Sequence, residues 1–283
     1  MVVGMRGDGD GWVVGENGTR HWGKHGAAGL LLRAPAPDGG PTVLLQHRAL
    51  WSHQGGTWAL PGGARDSHES SAHAAVREAH EEAGIGLEHL RVRGEMITAR
   101  VESGWSYTTV FADAEVQLDT IPNGESVELR WVPEDMVDQL PLHPGFAASW
   151  PTLRTETLRV LLDTANVLGS RPDGWWRDRS GATAALLSSL AAALPRTVEL
   201  PGGGFGWLSQ VEAVLEGEAR NARFEDGRVP LIHASGSGDD ELARRAHDGG
   251  TRTALVTADR GLQQRLPTDV RVLSPSTVLS WLG

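Results

Sequence analysis

The stretch GGARDSHESSAHAAVREAHEEAGI, residues 62–85, places Glu78, Glu81 and Glu82 within barely more than one helical turn. Positions i, i+3 and i+4 share one face of a helix, and like charges at that spacing cost an isolated helix about 0.2–0.5 kcal/mol per pair. On the opposite side Ala72, Ala75, Val76, Ala79 and Ala83 make an apolar stripe that predicts packing on a core. Ser70 or Ser71 suits the N-cap, and Gly84 suits the left-handed position that ends many helices. The helix is well specified, so its acidic face needs a reason. A solvated surface is the ordinary one. The sharper one is a hard divalent cation, because Mg²⁺ takes carboxylate and carbonyl oxygens in octahedral geometry.

The flanking residues favour the cation. From Gly63, five residues lead to Glu69 and seven more to Arg77–Glu78, followed by Ala79, Glu81–Glu82, Gly84 and Ile85. This stretch resembles the Nudix box of the Nudix hydrolases without a departure, and a looser likeness extends over about residues 11–150. The resemblance implies a loop–helix–loop on an αβα sandwich with a mixed sheet, binding Mg²⁺ or Mn²⁺. It implies Glu78 and Glu82 as metal ligands, Glu81 as ligand or base, and the Gly63 carbonyl completing the set. Arg77 would orient Glu78, and Glu69 would brace the loop.

The chemistry agrees from below. Water attacking a diphosphate meets an electron-rich phosphorus, and clustered cations screen the phosphate oxygens, lower the pKa of bound water and clamp the leaving group. Several carboxylates can hold those cations and spare one as a proton acceptor. The expected reaction is Mg²⁺-dependent hydrolysis of a nucleoside diphosphate linked to another group, foremost a nucleoside triphosphate giving monophosphate and pyrophosphate. An ADP-ribose or nucleotide-sugar pyrophosphatase and an RNA 5′-end processing enzyme are the other enzymatic readings. A nucleotide sensor that regulates the second half of the chain is the non-enzymatic one.

Around the expected cleft, Trp51, Trp58 and Trp105 offer faces for a base, and Arg48 and Arg65 can hold phosphates bidentately. Core packing and plain surface charge are their ordinary readings. A further metal-site acid from a later loop is expected at Glu125 or Glu128.

At 283 residues with 40% hydrophobic content, two packed domains are the prior. The sequence predicts a first domain over 1–150, a boundary in the proline-rich PLHPGFAASWP at 141–151, and a second domain over 156–283. The absence of cysteine, of a signal-like apolar start and of an apolar run long enough to span a bilayer gives a soluble, cytoplasmic protein as the expectation. The formal net charge is −10, concentrated in the first half, so bulk attraction of that half to nucleic acid is not expected.

Beyond Leu158 short apolar strands alternate with helical segments, which predicts a parallel sheet covered on both faces. Functional groups in such sheets gather at the carboxyl ends of the strands, where Asp163, Asp239, Asp240 and Asp259 stand. The segments DTAN (163–166), SGDD (237–240) and TAD (257–259) resemble those of PIN-like NYN ribonucleases. That resemblance implies Asp163, Asp240 and Asp259 as metal-holding acids with Asn166 and Asp239 beside them, and single-stranded RNA as partner. Helix capping is the structural alternative, since Asp favours helix N-termini. PGGGFG at 201–206 reads as a flexible connection, and Trp175–Arg179 as a loop packed under two tryptophans.

Overall fold

A computed structural model describes residues 7–15, 18–249 and 252–282. The chain forms two compact units, one ending at Thr155 and one starting at Glu156. Among the described residues no helix is long and apolar enough to cross a membrane.

The first unit holds β1 (Trp12–Val14), β2 (Arg20–Trp22), β3 (Ala27–Pro35), β4 (Pro41–Arg48), β5 (Trp58–Ala59), β6 (Gly62–Ala64), α1 (Ser71–Ala83), β7 (Arg91–Arg100), β8 (Ser106–Asp113), β9 (Ser126–Pro133) and α2 (Pro144–Leu153). The first two strands pair as a separate hairpin. The others form a mixed sheet, in which β3 and β8 run parallel and the remaining pairings are antiparallel. β3, AAGLLLRAP, is buried along nearly its whole length, as a near-continuous apolar run in a central strand should be. Its Ala28, Leu30 and Leu32 meet Ala74, Ala75, Ala79 and Ala83 of α1. Methyl side chains on that helix let its backbone approach the sheet closely.

From the next residue position in register, Arg33 is fully buried, donating from Nε to Glu134 Oε1 at 2.7 Å and from Nη2 to the Leu153 carbonyl at 2.6 Å. Glu134 in turn accepts from Thr155 N and Oγ1. Removing one partner from a buried pair of this kind costs about 3–5 kcal/mol.

Residues 144–151, expected as part of a boundary without regular structure, lie in helix α2, in which Phe146, Trp150 and Leu153 are buried. The prolines misled. Pro144 occupies the first helical turn, where its missing N–H costs nothing, and His143 Nδ1 caps the start by accepting from Gly145 N.

In the second unit the five expected strands are β11 (Arg159–Asp163), β14 (Val211–Leu215), β15 (Leu231–His233), β16 (Thr253–Val256) and β17 (Arg271–Leu273), beside β10 (Thr155–Thr157), β12 (Arg196–Glu199) and β13 (Phe205–Leu208). The order β15-β14-β11-β16-β17 is parallel throughout. Val160 and Leu162 of the central strand pack with Leu186, Leu187 and Leu190 of α4 (Arg179–Ala193), alongside α3 (Thr164–Gly169) and α7 (Pro275–Leu279). Leu161 points the other way, to α5 (Gly238–Asp248) and α6 (Arg260–Gln263). The small sheet β10-β13-β12 was not expected. The PGGGFG stretch is the turn that builds it: Gly202, Gly203 and Gly204 take positive φ, and Phe205 and Gly206 already belong to β13.

Candidate active site

Helix α1 starts and stops as its caps dictate. Ser70 accepts from His73 N at 3.2 Å, and Gly84 takes φ 70°. Ahead of the helix, β6 pairs antiparallel with β3 so that Gly62 faces Gly29 and Gly63 faces Ala28. This brings the glycine strand against the acidic end of the helix. Gly62 N donates to Glu82 Oε2 at 2.8 Å, and a Cβ on Gly63 would lie 2.4 Å from Glu78 Oε1. A side chain at residue 63 would have to displace the Glu78 carboxylate, and glycine leaves that carboxylate its place.

Arg77 organises the rest. Its Nε and Nη2 form a fork on the two oxygens of Glu69 at 2.8 and 3.0 Å, and Nη2 also donates to the Ala64 carbonyl at 3.0 Å. The remaining nitrogen, Nη1, donates to Glu78 Oε1 at 2.9 Å and more distantly to Glu81 Oε2 at 3.4 Å. Glu69 accepts in addition from Asp66 N. One guanidinium thus ties the loop before the helix to two of its acids, which a lysine could not do.

The electrostatics are unusual for glutamates. Burial, reinforced by the charge of Glu78, pushes Glu82 up to about 8, even though Gly62 N–H pulls the other way. Burial also pushes Glu78 up to about 7 against the opposing charge of Arg77. Glu82 is only 4% exposed, whereas the Glu81 side chain is 55% exposed. Glu125 adds to the upward shift of both buried acids. Of the two downstream candidates, Glu125 is thus the one whose charge reaches the buried acids, while Glu128 is held by Arg130 in a two-pronged pair at 2.8 Å.

The residues expected to line the cleft divide. Trp58 is 4% exposed, with the His47 ring stacked on it at 4.8 Å and the Arg130 guanidinium 4.8 Å from its ring, so it is a packing residue here and not an open platform. Trp51 is 72% exposed. Trp105 stacks on His21 and donates to the Trp22 carbonyl. Arg48 donates to the His53 carbonyl, and Arg65 holds the His25 carbonyl through Nε and Nη2. Sequence reasoning missed Tyr107, whose phenol is pushed above its ordinary value by burial and by the charge of Glu82.

Residues 23–154 match the family model for the NUDIX domain. A Mycobacterium tuberculosis protein named "Putative 8-oxo-dGTP diphosphatase 3" is 54% identical over 213 residues, covering 74% of this chain and 88% of that one. The chain belongs to the Nudix family. A Bifidobacterium longum "Nucleoside triphosphate pyrophosphatase/Nudix hydrolase fusion protein" is 43% identical over 149 residues, covering 50% of this chain and 30% of its own. Among solved structures, the Nudix hydrolase RenU from M. smegmatis is 67% identical, covers 50% of this chain and 91% of that one, and has a TM-score of 0.49. This Nudix protein is a hydrolase acting on phosphorus anhydride bonds. Its match to the M. tuberculosis relative is longer than the first unit and so continues past residue 155.

The second unit carries its own acid-lined cavity, about 540 Å³, at the carboxyl ends of β11, β14 and β16. Asp163, Asn166, Glu216, Asp239 and Asp259 line it. Asp163 accepts from Asn166 N at 3.0 Å and from Thr257 Oγ1 at 2.8 Å, and Asn166 Oδ1 accepts from Ala258 N. Burial and the charges of Asp239 and Glu216 raise Asp163; burial, Asp259 and Glu216 raise Asp239. Asp259 both lines the cavity and caps α6, accepting from Gly261 N and Leu262 N. Asp240 departs from expectation: it projects to solvent and pairs with Arg265 Nη2 at 2.6 Å. Neighbouring positions on α5 point about 100° apart, so only Asp239 of the pair reaches the cavity. Glu216, just past β14, went unnoticed because no motif marks it.

Proposed function

We propose that the first unit hydrolyses a nucleoside triphosphate to the monophosphate and pyrophosphate, using Mg²⁺ or Mn²⁺ held by Glu78, Glu81, Glu82 and the Gly63 carbonyl. The buried Glu78–Glu82 pair carries this reading. Two neighbouring carboxylates driven toward protonation are a poor arrangement for a bare surface and a good one for a cation, which stabilises both charged forms at once. The donor set is all oxygen, as a hard cation requires. When bound, the ion screens the phosphate oxygens and acidifies water. Arg77 keeps Glu78 aimed at the site by holding it and Glu69 in one fork. Glu81, the most exposed of the three acids, serves either as a further ligand or as the base that takes the proton of the attacking water. Arg48 and Arg65 supply positive charge for the phosphates, and exposed Trp51 supplies a stacking face worth about 1–3 kcal/mol to a base.

The name of the M. tuberculosis relative makes an oxidised guanine nucleoside triphosphate the first substrate to try. The test is a panel of ordinary and 8-oxo nucleoside triphosphates, ADP-ribose, nucleotide sugars and 5′-triphosphorylated RNA, with Mg²⁺ and product analysis. Pyrophosphate from the triphosphates is the expected product. Orthophosphate release, or faster turnover of ADP-ribose or RNA ends, would replace this reading, and binding without turnover would make the unit a sensor.

A second reading applies to the other unit, favoured by its acid-lined cavity. We infer a PIN-like, metal-dependent ribonuclease in which Asp163, Asp239 and Asp259, with Glu216, hold the cation and Asn166 fixes the strand ends. Slow cleavage of single-stranded RNA with Mn²⁺, lost in Asp163→Asn, is the expected outcome.

A further inference from the structure

Tyr107 is the one tyrosine of the chain. It stands on β8 opposite Ala27 of β3, and the next residue on its face, Thr109, stands opposite Gly29. Its ring leans along that face until the hydroxyl lies over Gly29. A Cβ on Gly29 would sit 1.9 Å from Tyr107 Oη and 3.0 Å from Cζ, so the glycine is a notch cut for the phenol. Gly29 is also the register partner of Gly62, whose N–H holds Glu82. The hydroxyl is thereby brought to the same corner as the acidic end of α1, within the field of Glu82, Glu78 and Arg48. Among the described residues it makes no hydrogen bond. The hydroxyl is not one of the buried polar atoms that lack a partner, so it is open to solvent and free to donate.

An O–H group in the field of carboxylates that gather cations and of an arginine that attracts anions meets one natural acceptor: a phosphate oxygen. We propose that Tyr107 is a substrate-binding residue of the hydrolase, its hydroxyl donating to a non-bridging oxygen of the nucleotide's phosphate chain, with Gly29 present to make room for it. It rests on the hydrolase reading of the first unit.

Tyr107→Phe keeps the ring and removes only the donor. In the full chain with Mg²⁺ and the triphosphate turned over best, kcat/KM is expected to fall on the order of 10- to 100-fold, the range for a hydrogen bond to a charged acceptor. Gly29→Ala displaces the hydroxyl and is expected to cost a similar factor. The double variant should be no worse than the weaker single one, because both changes remove one contact. A positional readout comes from 3-fluorotyrosine incorporation, which gives a single ¹⁹F resonance in this chain. That resonance should shift when a non-hydrolysable α,β-imido nucleoside triphosphate is added with Mg²⁺, and stay in place with Mg²⁺ alone.

Wild-type kcat/KM in a folded Tyr107→Phe variant overturns the proposal. So does a resonance that responds to Mg²⁺ alone and not further to nucleotide, since the hydroxyl would then serve the carboxylates. If Glu82→Gln is inactive while Tyr107→Phe is not, the hydrolase reading stands and this inference falls. A wild-type chain that hydrolyses no member of the panel sinks both.

Discussion

In the first unit Glu78, Glu81 and Glu82 come from one helix of 13 residues, and the glycines they lean on lie just before it in sequence. In the second unit Asp163, Glu216, Asp239 and Asp259 come from the ends of β11 and β14, the first turn of α5 and the loop after β16. In both, burial and neighbouring charge push two of the acids toward protonation, Glu78 and Glu82 in the first and Asp163 and Asp239 in the second. One is written locally, in a helix and in the strand and loop that lie just before it in sequence. The other exists only once a parallel sheet has brought distant segments into register. The same electrostatic strain is therefore available to a motif and to a topology.

The comparison breaks most sharply at Glu82. Glu78→Gln and Glu82→Gln are each expected to lower nucleotide turnover by about 100-fold or more, some 2.7 kcal/mol in the barrier, while leaving the RNA cleavage proposed for the second unit untouched. Parallel assays on one preparation would check both; joint loss would mean that the two sites are not separate. Gly63→Ala should follow, on the order of 10-fold, because its Cβ must push the Glu78 carboxylate aside. Full activity there would show that the strand gives way instead.

The second site is sharpened in the double variant Glu78→Gln/Glu82→Gln. With Mn²⁺ at about 100 times its dissociation constant, binding to the native state stabilises by about 2.7 kcal/mol. A rise of several degrees in melting temperature is expected. Asp163→Asn should abolish the rise and Asp240→Asn should leave it intact, since Asp240 faces Arg265. Equal effects of the two would return the cavity acids to simple helix capping.

The smallest expected effect is one of pH. Unfolded glutamates titrate near 4.5, whereas burial pushes Glu78 in the fold up to about 7 and Glu82 up to about 8. Between those values the native state binds more protons than the unfolded one, so without divalent cation stability falls as pH rises from about 4.5 to about 8. Melting in EDTA across that window should show the decline, and Glu82→Gln should flatten it. A melting temperature that rises with pH over the same window in wild type and variant alike would remove the strained-carboxylate account.

Legibility followed the same division. A cap at Ser70 or Ser71 and the turn at Gly84 were readable because a helix converts spacing into geometry by fixed rules, whereas the role of Arg77 came only with the resemblance of the motif. The five strands of the parallel sheet were readable from apolar runs. What the sequence could not yield was three-dimensional choice. Nothing local says that Asp239 turns inward and Asp240 outward, or that Glu216 arrives at the same cavity. Trp58 looked like a binding face because an aromatic residue reads alike whether its ring is open or covered by His47. Tyr107 was invisible because its significance lies in a glycine on another strand. Proline hid α2, whose first turn tolerates it.

The buried alanines of α1 carry a consequence for how such a protein can change. Ala74, Ala75, Ala79 and Ala83 lie flush against β3 with no solvent exposure. A larger side chain at any of them would lift the helix and carry Glu78 and Glu82 away from Gly63 and Gly62. The concealed side of the helix is thus as constrained as the chemical side, though it touches no substrate. Innovation is confined to the rim, where residues such as Leu50 and Trp51 are exposed and can be exchanged without moving an acid. A lineage of such proteins would be expected to diversify what it accepts while keeping, almost unaltered, the way it cuts.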